Sequence, residues 1–393
     1  MASTKPESIW SCAFALLCSA QFLGFAQNYT LQPTLPLYVT HLGGSPFVVG
    51  VIIACFSIPS VLFRPFIGIW VDRWSEAGVQ VLGHLMQAIS ILLCFIPLTG
   101  AMMLANGLRG IGWAGMHAGG YSLLATNAPD ARRGEAAGYY RGVQSSATIF
   151  FPAVALWIID APFGGFQVAF IVAMTLSLLG ASLAFALSRQ MPHTPRRFPV
   201  ESSEPWWRNI INVFDRSILL AALLLFSLSM SIPCLTSFFV LYAREIGISN
   251  FGWYFVVIGV TTLLGRPLLG RVSDKIGCAR SLVVAFTLET IGLFLLPLVT
   301  NLARAMLTGL LYYMGSAIGG ATLFALAMEK ATPERRGRAM ASFTVSLPLS
   351  SGVGGLLCGL AVDIMGYTGM FLMTAVLCAS GLVLTGKYWS QLK

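Results

Sequence analysis

One segment of the chain is written twice, and this duplication constrains the fold more than any other feature. Residues 64–73 read RPFIGIWVDR and residues 266–275 read RPLLGRVSDK, so Arg-Pro, a glycine and an Asp followed by a base recur at the same steps. In each copy the glycine and the aspartate are four residues apart, on one face of a helix. The glycine allows another helix to approach closely, and the carboxylate can meet a base or a helix N-terminus at a membrane edge. We therefore expect two related halves.

The composition indicates where such a chain resides. Apolar residues make up 56% of the sequence and charged residues 10%, whereas a soluble domain carries about a quarter charged residues. The net charge of +9 also fits a nucleic-acid-binding protein, so the position of the basic residues decides. Arg64, Arg109 and Arg266 lie within apolar segments, and nearly all other Lys and Arg residues lie in alternate loops, as the positive-inside rule requires. The charge sets a membrane topology, and we expect no nucleic-acid partner.

Apolar runs of roughly 20 residues predict membrane-spanning helices. A polar, Pro-containing segment at 189–216 divides them into two sets, and its arginines place it in the cytoplasm. We therefore expect an N-terminal bundle at 1–188, a cytoplasmic linker at 189–216 and a C-terminal bundle at 217–393, with both termini cytoplasmic. The twelve predicted spans lie near 9–36, 47–72, 79–99, 102–126, 137–159, 165–188, 217–242, 250–272, 280–300, 303–328, 339–362 and 368–388.

The duplication extends well beyond the opening segment. LYVTHLG at 37–43 matches LYAREIG at 241–247, and PDARRG at 129–134 matches PERRG at 333–337. Matches at such corresponding positions predict two six-helix bundles side by side, related by an axis along the membrane normal.

These motifs resemble those of the major facilitator superfamily, and the resemblance covers essentially the whole chain. It implies an all-α membrane protein with the major facilitator fold, in which twelve transmembrane helices form two pseudo-symmetric six-helix bundles. It also implies a secondary transporter that works by alternating access, with a central cavity lined mainly by helices 1, 4, 7 and 10. Besides the Pro-acid turns after helices 4 and 10, the motif residues are Gly68, Asp72, Arg73 and Gly78, and in the second copy Gly270, Asp274, Lys275 and Gly277.

Within this superfamily the chain is similar to twelve-helix drug and metabolite efflux proteins. These often carry an arginine in helix 4 that is followed by Gln-Gly, and a Gly-rich, Pro-containing antiporter motif in helix 5. Arg109 matches the arginine, but Gly112 and Trp113 stand where Gln-Gly is expected. Helix 5 keeps Pro152 without the surrounding glycines.

Helix 1 carries three amides on one face. Gln21, Asn28 and Gln32 are spaced so that they stack beside Phe25. An unpaired amide facing lipid costs several kcal/mol, so this face is expected to point into a polar cavity. The alternative is an amide ladder that only joins helices.

Helix 4 carries Arg109, Trp113 and His117 on one face. A guanidinium in mid-membrane costs about 2.5–3.5 kcal/mol on insertion scales, so Arg109 should face the bundle interior, water or a partner. We expect Arg109 to contact substrate, the alternative being an arginine held by backbone carbonyls. Arg109 and His117 are also candidates for coupling. The alternatives for His117 are a proton relay and a plain hydrogen-bonded histidine.

The C-terminal half is expected to supply fewer polar contacts. Helix 7 offers Ser227, Ser231 and Phe238 on one face, with a kink at Pro233, and helix 10 offers Tyr312 and Ser316. Because neither helix 1 nor helix 4 has a carboxylate, the cavity should suit an anionic, zwitterionic or neutral polar substrate.

Glu289 in helix 9 is the sole acid within a predicted mid-membrane segment. The family fold places this helix at the periphery. Glu289 is therefore expected to be a protonated or amide-bonded peripheral residue, with a coupling site as the alternative.

A cytoplasmic gate is predicted from the duplicated segments. Because duplicated residues usually serve duplicated machinery, a structural or gating role is favoured over substrate contact for Arg64 and Arg266. When the outer side is open, two latches should join the cytoplasmic ends beside Gly68 and Gly270. The first is Asp72 with Arg73 and Arg133, and the second is Asp274 with Lys275 and Arg336.

The leading functional hypothesis is a monomeric, proton-driven exporter of a small organic molecule in a bacterial inner membrane. The alternatives are uptake of a sugar or organic anion by symport, and a receptor or lipid-handling protein on the same fold. The sequence has no nucleotide loop and no His-Cys metal spacing, so we expect neither an enzyme nor a cofactor or metal site. The expected partners are a small-molecule substrate, protons or another coupling ion, and the lipid bilayer.

Overall fold

A computed structural model describes residues 9–129, 132–190, 218–330 and 336–392. Within these ranges the predicted twelve-span architecture is confirmed. Apart from the last residues of α7, the predicted linker lies outside the described residues. The helices are α1 (Cys12–His41), α2 (Pro46–Leu62), α3 (Arg64–Arg73), α4 (Glu76–Leu93), α5 (Thr99–Asn127), α6 (Arg133–Asp160), α7 (Phe166–Gln190), α8 (Leu219–Ser229), α9 (Phe239–Glu245), α10 (Gly252–Ile276), α11 (Cys278–Leu295), α12 (Leu302–Lys330) and α13 (Arg336–Lys387).

Seven helices of the described chain are long and apolar enough to cross a membrane, counting residues 219–245 as one. The bent pair of α2 and α3 makes an eighth. Helices α1 and α5 are long enough but carry the amides, Arg109 and His117. They can lie in a membrane only if those polar groups face the protein interior or water rather than lipid.

Two of the predicted spans are broken at a proline, and two further spans are joined into one helix with a turn at a glycine. Pro65 begins α3, and the axis bends by 45° between α2 and α3. Pro233 separates α8 from a single π-helical turn, Cys234–Phe238, that leads into α9. Proline lacks an N–H and clashes with the carbonyl four residues earlier, which accounts for both breaks. Gly366, with φ of 70°, turns the chain inside α13 and divides it into a first and a second arm.

The two halves meet through two long helix contacts. In the N-terminal half α4 packs on α5 and α7, and α1 packs on α6 and α7; in the C-terminal half α12 packs on α10 and α11. Between the halves, α2 packs against α13 and α6 packs against α10. We call the space between α1 and α5 on one side and α8, α9 and α12 on the other the seam, and it is where the substrate cavity was predicted.

Glycines bring the halves unusually close at both contacts. A methyl group added at Gly50 of α2 would lie 2.3 Å from the carbonyl oxygen of Gly355 in α13. A methyl group added at Gly259 of α10 would lie 2.4 Å from the Cα of Ile149 in α6. Such backbone approach is the usual way in which membrane helices gain packing energy without a hydrophobic driving force.

Side chains at one end of the bundle join the halves further. We call the end that holds His41 and Asp160 the outer end, and the end that holds Arg73 the inner end, after the predicted topology. At the outer end Arg244 donates to Asp160 in an ion pair across the halves. The rings of Trp157 and Trp253 pack beside this pair with their centroids 5.6 Å apart.

A second tie at the outer end is made by Asp363, at the end of the first arm of α13. Its Oδ2 accepts hydrogen bonds from the hydroxyl of Ser45, at 3.1 Å, and from the backbone N–H of Phe47, at 3.3 Å. These two donors lie at the N-terminus of α2, where a carboxylate is favoured by the helix dipole. The outer end is therefore closed in this conformation.

We predict that Gly50→Ala weakens the contact between α2 and α13. The added methyl group meets backbone rather than a flexible side chain, so a helix must move, at an expected cost of about 1–3 kcal/mol. The melting temperature of the purified protein should fall. Gly138→Ala in α6 is the matched control, because no atom lies within 4 Å of its added methyl group; an equal loss in both variants would contradict the prediction.

Candidate functional site: the seam between the halves

An aromatic cluster forms the centre of the seam on the N-terminal side. The ring of His117 lies 4.3 Å from Trp113, 5.1 Å from Phe25 and 5.9 Å from Tyr121, measured between centroids. Phe25 and Trp113 are themselves 4.7 Å apart. The spacing of these residues on α1 and α5 thus brings the predicted face of helix 4 against the predicted face of helix 1. Trp113 and His117 remain half-buried, so part of each ring faces the seam.

The three amides of α1 separate into two environments. Asn28 and Gln32 are half-buried, which fits side chains that border a polar space. Gln21 is fully buried and packs beside Gly120 of α5, near the hydroxyl of Tyr140. Gln21 therefore lies behind the seam, inside the N-terminal bundle.

Arg109 is buried, with 8% of its surface exposed. Its guanidinium carbon lies 4.8 Å from the centre of the Phe56 ring in α2, a cation–π contact. The ring of Phe56 in turn lies 6.3 Å from Trp113. Nε and Nη1 of Arg109 have no hydrogen-bond partner among the described residues. The guanidinium therefore sits one ring away from the aromatic cluster, with unused donors that water or an anion can satisfy.

Arg64 adds a second cation to this region. Its Nη1 donates to the hydroxyl of Thr344 in α13, at 3.4 Å, and so crosses between the halves. Arg64 also acts electrostatically on His117. The Nε2 atom of His117 has no hydrogen-bond partner among the described residues. The contact with Thr344 fits the gating role expected for Arg64, while the proximity to His117 links that gate to the seam.

The C-terminal half presents a more enclosed surface. Tyr313 of α12 is half-buried. Tyr312, its neighbour, is fully buried, and its hydroxyl lies 2.7 Å from that of Ser231. The other predicted cavity residues of this half are also buried or nearly so, namely Ser227, Phe238 and Ser316. Most of them lie within the C-terminal bundle rather than on its inner face.

The sequence analysis did not identify a row of buried polar side chains that the structure shows in α4. Gln80, His84 and Gln87 are all fully buried, and both ring nitrogens of His84 lack a partner among the described residues. The imidazole fits between Gly24 of α1 and Gly180 of α7; methyl groups added there would lie 2.8 Å and 2.7 Å from its ring. The spacing i, i+4, i+7 within an apolar segment is the signal that identifies such a row.

The first of the two predicted latches at the inner end is not formed among the residues that the structure describes. Asp72 and Arg73 are exposed, and neither forms a hydrogen bond or an ion pair with a residue that the structure describes. Arg133 is exposed at the start of α6. Across the halves, Arg141 lies over the ring of Phe324 at 4.7 Å. With the outer end tied, an open latch is the state that alternating access requires.

The close helix approach expected at Gly68 is absent here. A methyl group added at Gly68 would meet no atom within 4 Å, because α3 turns away from α2 at the break before Arg64. In the second copy Lys275 is exposed at the end of α10. The side chains of Arg266, Gly270, Asp274 and Arg336 lie outside the described set, although their backbone is helical.

Residues 17–331 and 218–390 match the Major Facilitator Superfamily. The chain is similar to the multi-drug resistance efflux pump PmrA of Streptococcus pneumoniae, with 23% identity over 95% of each chain. It is also similar to the staphylopine export protein of Staphylococcus aureus, with 21% identity over 90% of each. Among solved structures, a POT family transporter in complex with a thioalcohol-conjugated peptide matches with a TM-score of 0.78 and 14% identity, covering 97% of this chain and 96% of that one.

We predict that Asp72→Asn slows turnover severalfold without weakening substrate binding. The carboxylate is exposed and unpaired when the outer end is closed, so its loss should affect only the opposite conformation, in which the latch forms. Flux into proteoliposomes reports turnover, and ligand-induced thermal shift reports binding. Glu135→Gln is the matched control, since Glu135 pairs with Arg132 of its own helix end; unchanged turnover in Asp72→Asn would refute the latch.

Proposed function

The chain belongs to the major facilitator superfamily, and on that premise we propose that it is a proton-coupled exporter of a small organic anion, zwitterion or polar molecule. The residues at 1–188 and 217–393 act as the two units that rock about the seam. The protein works as a monomer in a bacterial inner membrane with both termini in the cytoplasm. The direction of transport and its coupling to protons are both parts of this proposal.

The observation that carries the substrate class is the sign of the charge around the seam. Arg109 reaches the aromatic cluster through Phe56, Arg64 acts electrostatically on His117, and α1, α2 and α5 contain no Asp or Glu. Electrostatic interactions are strengthened where water is excluded. A negative group therefore gains energy on entering the seam, and a simple cation loses it.

The shape of the cluster supports an organic substrate rather than an inorganic anion. Trp113 and Phe25 supply ring faces, and Asn28 and Gln32 supply both donors and acceptors. A few convergent polar groups in an otherwise apolar and aromatic site are typical of small-molecule binding. We place Arg109 as the contact for a carboxylate or a similar group of the substrate.

Export is supported by the relatives that share this chain's length. Two of them are named for efflux or export, one of multiple drugs and one of staphylopine. Direction in a rocking-bundle transporter is set by the coupled gradient and not by the fold. Proteoliposomes loaded at one pH and diluted into another would distinguish proton antiport from symport, because antiport drives substrate uptake only when the lumen is acidic.

We predict that Arg109→Ala abolishes or weakens anion binding by roughly tenfold to hundredfold, the range expected when a charge-assisted hydrogen bond is lost. A thermal-shift screen against organic anions, zwitterions, sugars and the cation ethidium would measure it. Arg304→Ala is the matched control, because Arg304 is exposed and bonds only to its own loop, at Leu298 and Thr300. If Arg109→Ala transported ethidium normally and no anion competed with ethidium, the proposed substrate class would be wrong.

A further inference from the structure

Glu289 is a fully buried carboxylic acid in the interior of the C-terminal half. It projects from α11 into the space between α12 and the second arm of α13. The thiol of Cys378 in that arm donates to its Oε2, at 3.4 Å. Ser316 of α12 also faces the carboxyl group. The other oxygen, Oε1, has no hydrogen-bond partner among the described residues.

The groups that surround Glu289 supply no positive charge. The titratable side chains that Glu289 acts on are Tyr312 and Tyr313 of α12 and Cys378 of α13, all neutral in their ordinary state. No Lys, Arg or His of the described chain is among the groups that act on it. An unpaired carboxylate within a membrane bundle carries a large desolvation cost. In this conformation the carboxyl group is therefore held as the neutral acid.

Close packing around Glu289 also favours the neutral form of its carboxyl group. A methyl group added at Gly315 of α12 would lie 3.0 Å from the Cγ of Glu289 and 2.6 Å from the backbone oxygen of Ala285. There is consequently no room between α11 and α12 for the water shell that a carboxylate needs. Glu289 can therefore lose its proton only when α11 and α12 separate from the second arm of α13.

A polar path leads from Glu289 to the seam. A cavity of about 10 Å³, room for about one water molecule, is lined by Cys378 on the side of Glu289 and by Ser231 and Ser227 on the side of α8. Ser231 is bonded to Tyr312 of α12, one of the helices that border the seam. Hydroxyl groups and one water can pass a proton along this row.

We propose that Glu289 is the proton-binding site of this transporter, and that its proton exchanges with the seam along Ser231 and Tyr312. This inference deepens the proposed function and rests on it for the role of the proton. On loading, the carboxylate takes a proton from water in the seam and becomes neutral, which permits the closed packing seen here. On release, the O–H bond of Glu289 breaks, water accepts the proton, and the carboxylate becomes hydrated as the helices separate.

The test requires no substrate. Infrared difference spectra of the full-length protein in phosphatidylcholine vesicles are recorded while the pH is stepped up and down. The wild type should show the carbonyl band of a protonated carboxylic acid that bleaches at alkaline pH and returns on acidification. Glu289→Gln should lose this band. Glu329→Gln should keep it, because Glu329 is an exposed acid at the inner end of α12.

Further variants distinguish a carboxyl group that exchanges its proton from one that stays protonated at every pH. Glu289→Asp retains a carboxyl group and should show a shifted band that still titrates. This variant keeps the proposal testable if Glu289→Gln does not fold. Tyr312→Phe and Ser231→Ala should keep the band but slow its response to a pH step. A band that survives in Glu289→Gln, or a wild-type band that never responds to pH, would overturn the proposal. A titrating band combined with flux that ignores the pH gradient would leave the proton site standing and refute proton-coupled export.

Discussion

Every feature of this structure follows from the cost of placing polar groups where neither lipid nor bulk water can satisfy them. The chain has to hide two arginines, two histidines, several amides and one carboxylic acid inside a bilayer-spanning bundle. It does so by turning them toward one another, toward aromatic rings and toward the seam between the halves. Helices α1 and α5 carry most of these polar groups. Neither helix could lie in lipid without other protein elements around it.

The two halves are related by duplication but have diverged in charge. The seam face of the N-terminal half carries cations, with Arg109 stacked on Phe56 and Arg64 near His117. The interior of the C-terminal half carries a lone acid, Glu289, and neutral hydroxyl and thiol groups. This division fits a transporter in which one half chiefly recognises an anionic group and the other binds the proton.

The contacts between the halves explain how such a pair can move. At Gly50 and Gly259 backbone meets backbone, so each of the two long contacts between the halves includes a point of very close approach. Asp160 and Asp363 close the outer end through a few polar contacts. Because exposed ion pairs contribute little free energy, these ties can break and reform as the opposite end closes.

Some of the site could be read from the sequence and some could not. The side-by-side position of Trp113 and His117 followed from helical spacing, because residues four apart share a face, whereas the contact of Phe25 with both rings depends on how α1 and α5 pack. The stacking of Arg109 on Phe56 did not, since it depends on how α2 and α5 are rotated against each other. Tyr312 was expected at the seam, but its hydroxyl bonds to Ser231 inside the bundle.

The sequence by itself determined the membrane class, the twelve spans, the kink at Pro233 and the division into two related halves. These depend on hydropathy, proline chemistry and internal repetition, all of which are local in the chain. Only the tertiary structure decided which polar groups meet: that Glu289 lies beside Cys378, that Arg64 reaches Thr344, and that the outer end is closed. Those contacts join residues far apart in the chain, and the rotation and approach of whole helices, which no local pattern encodes, set them.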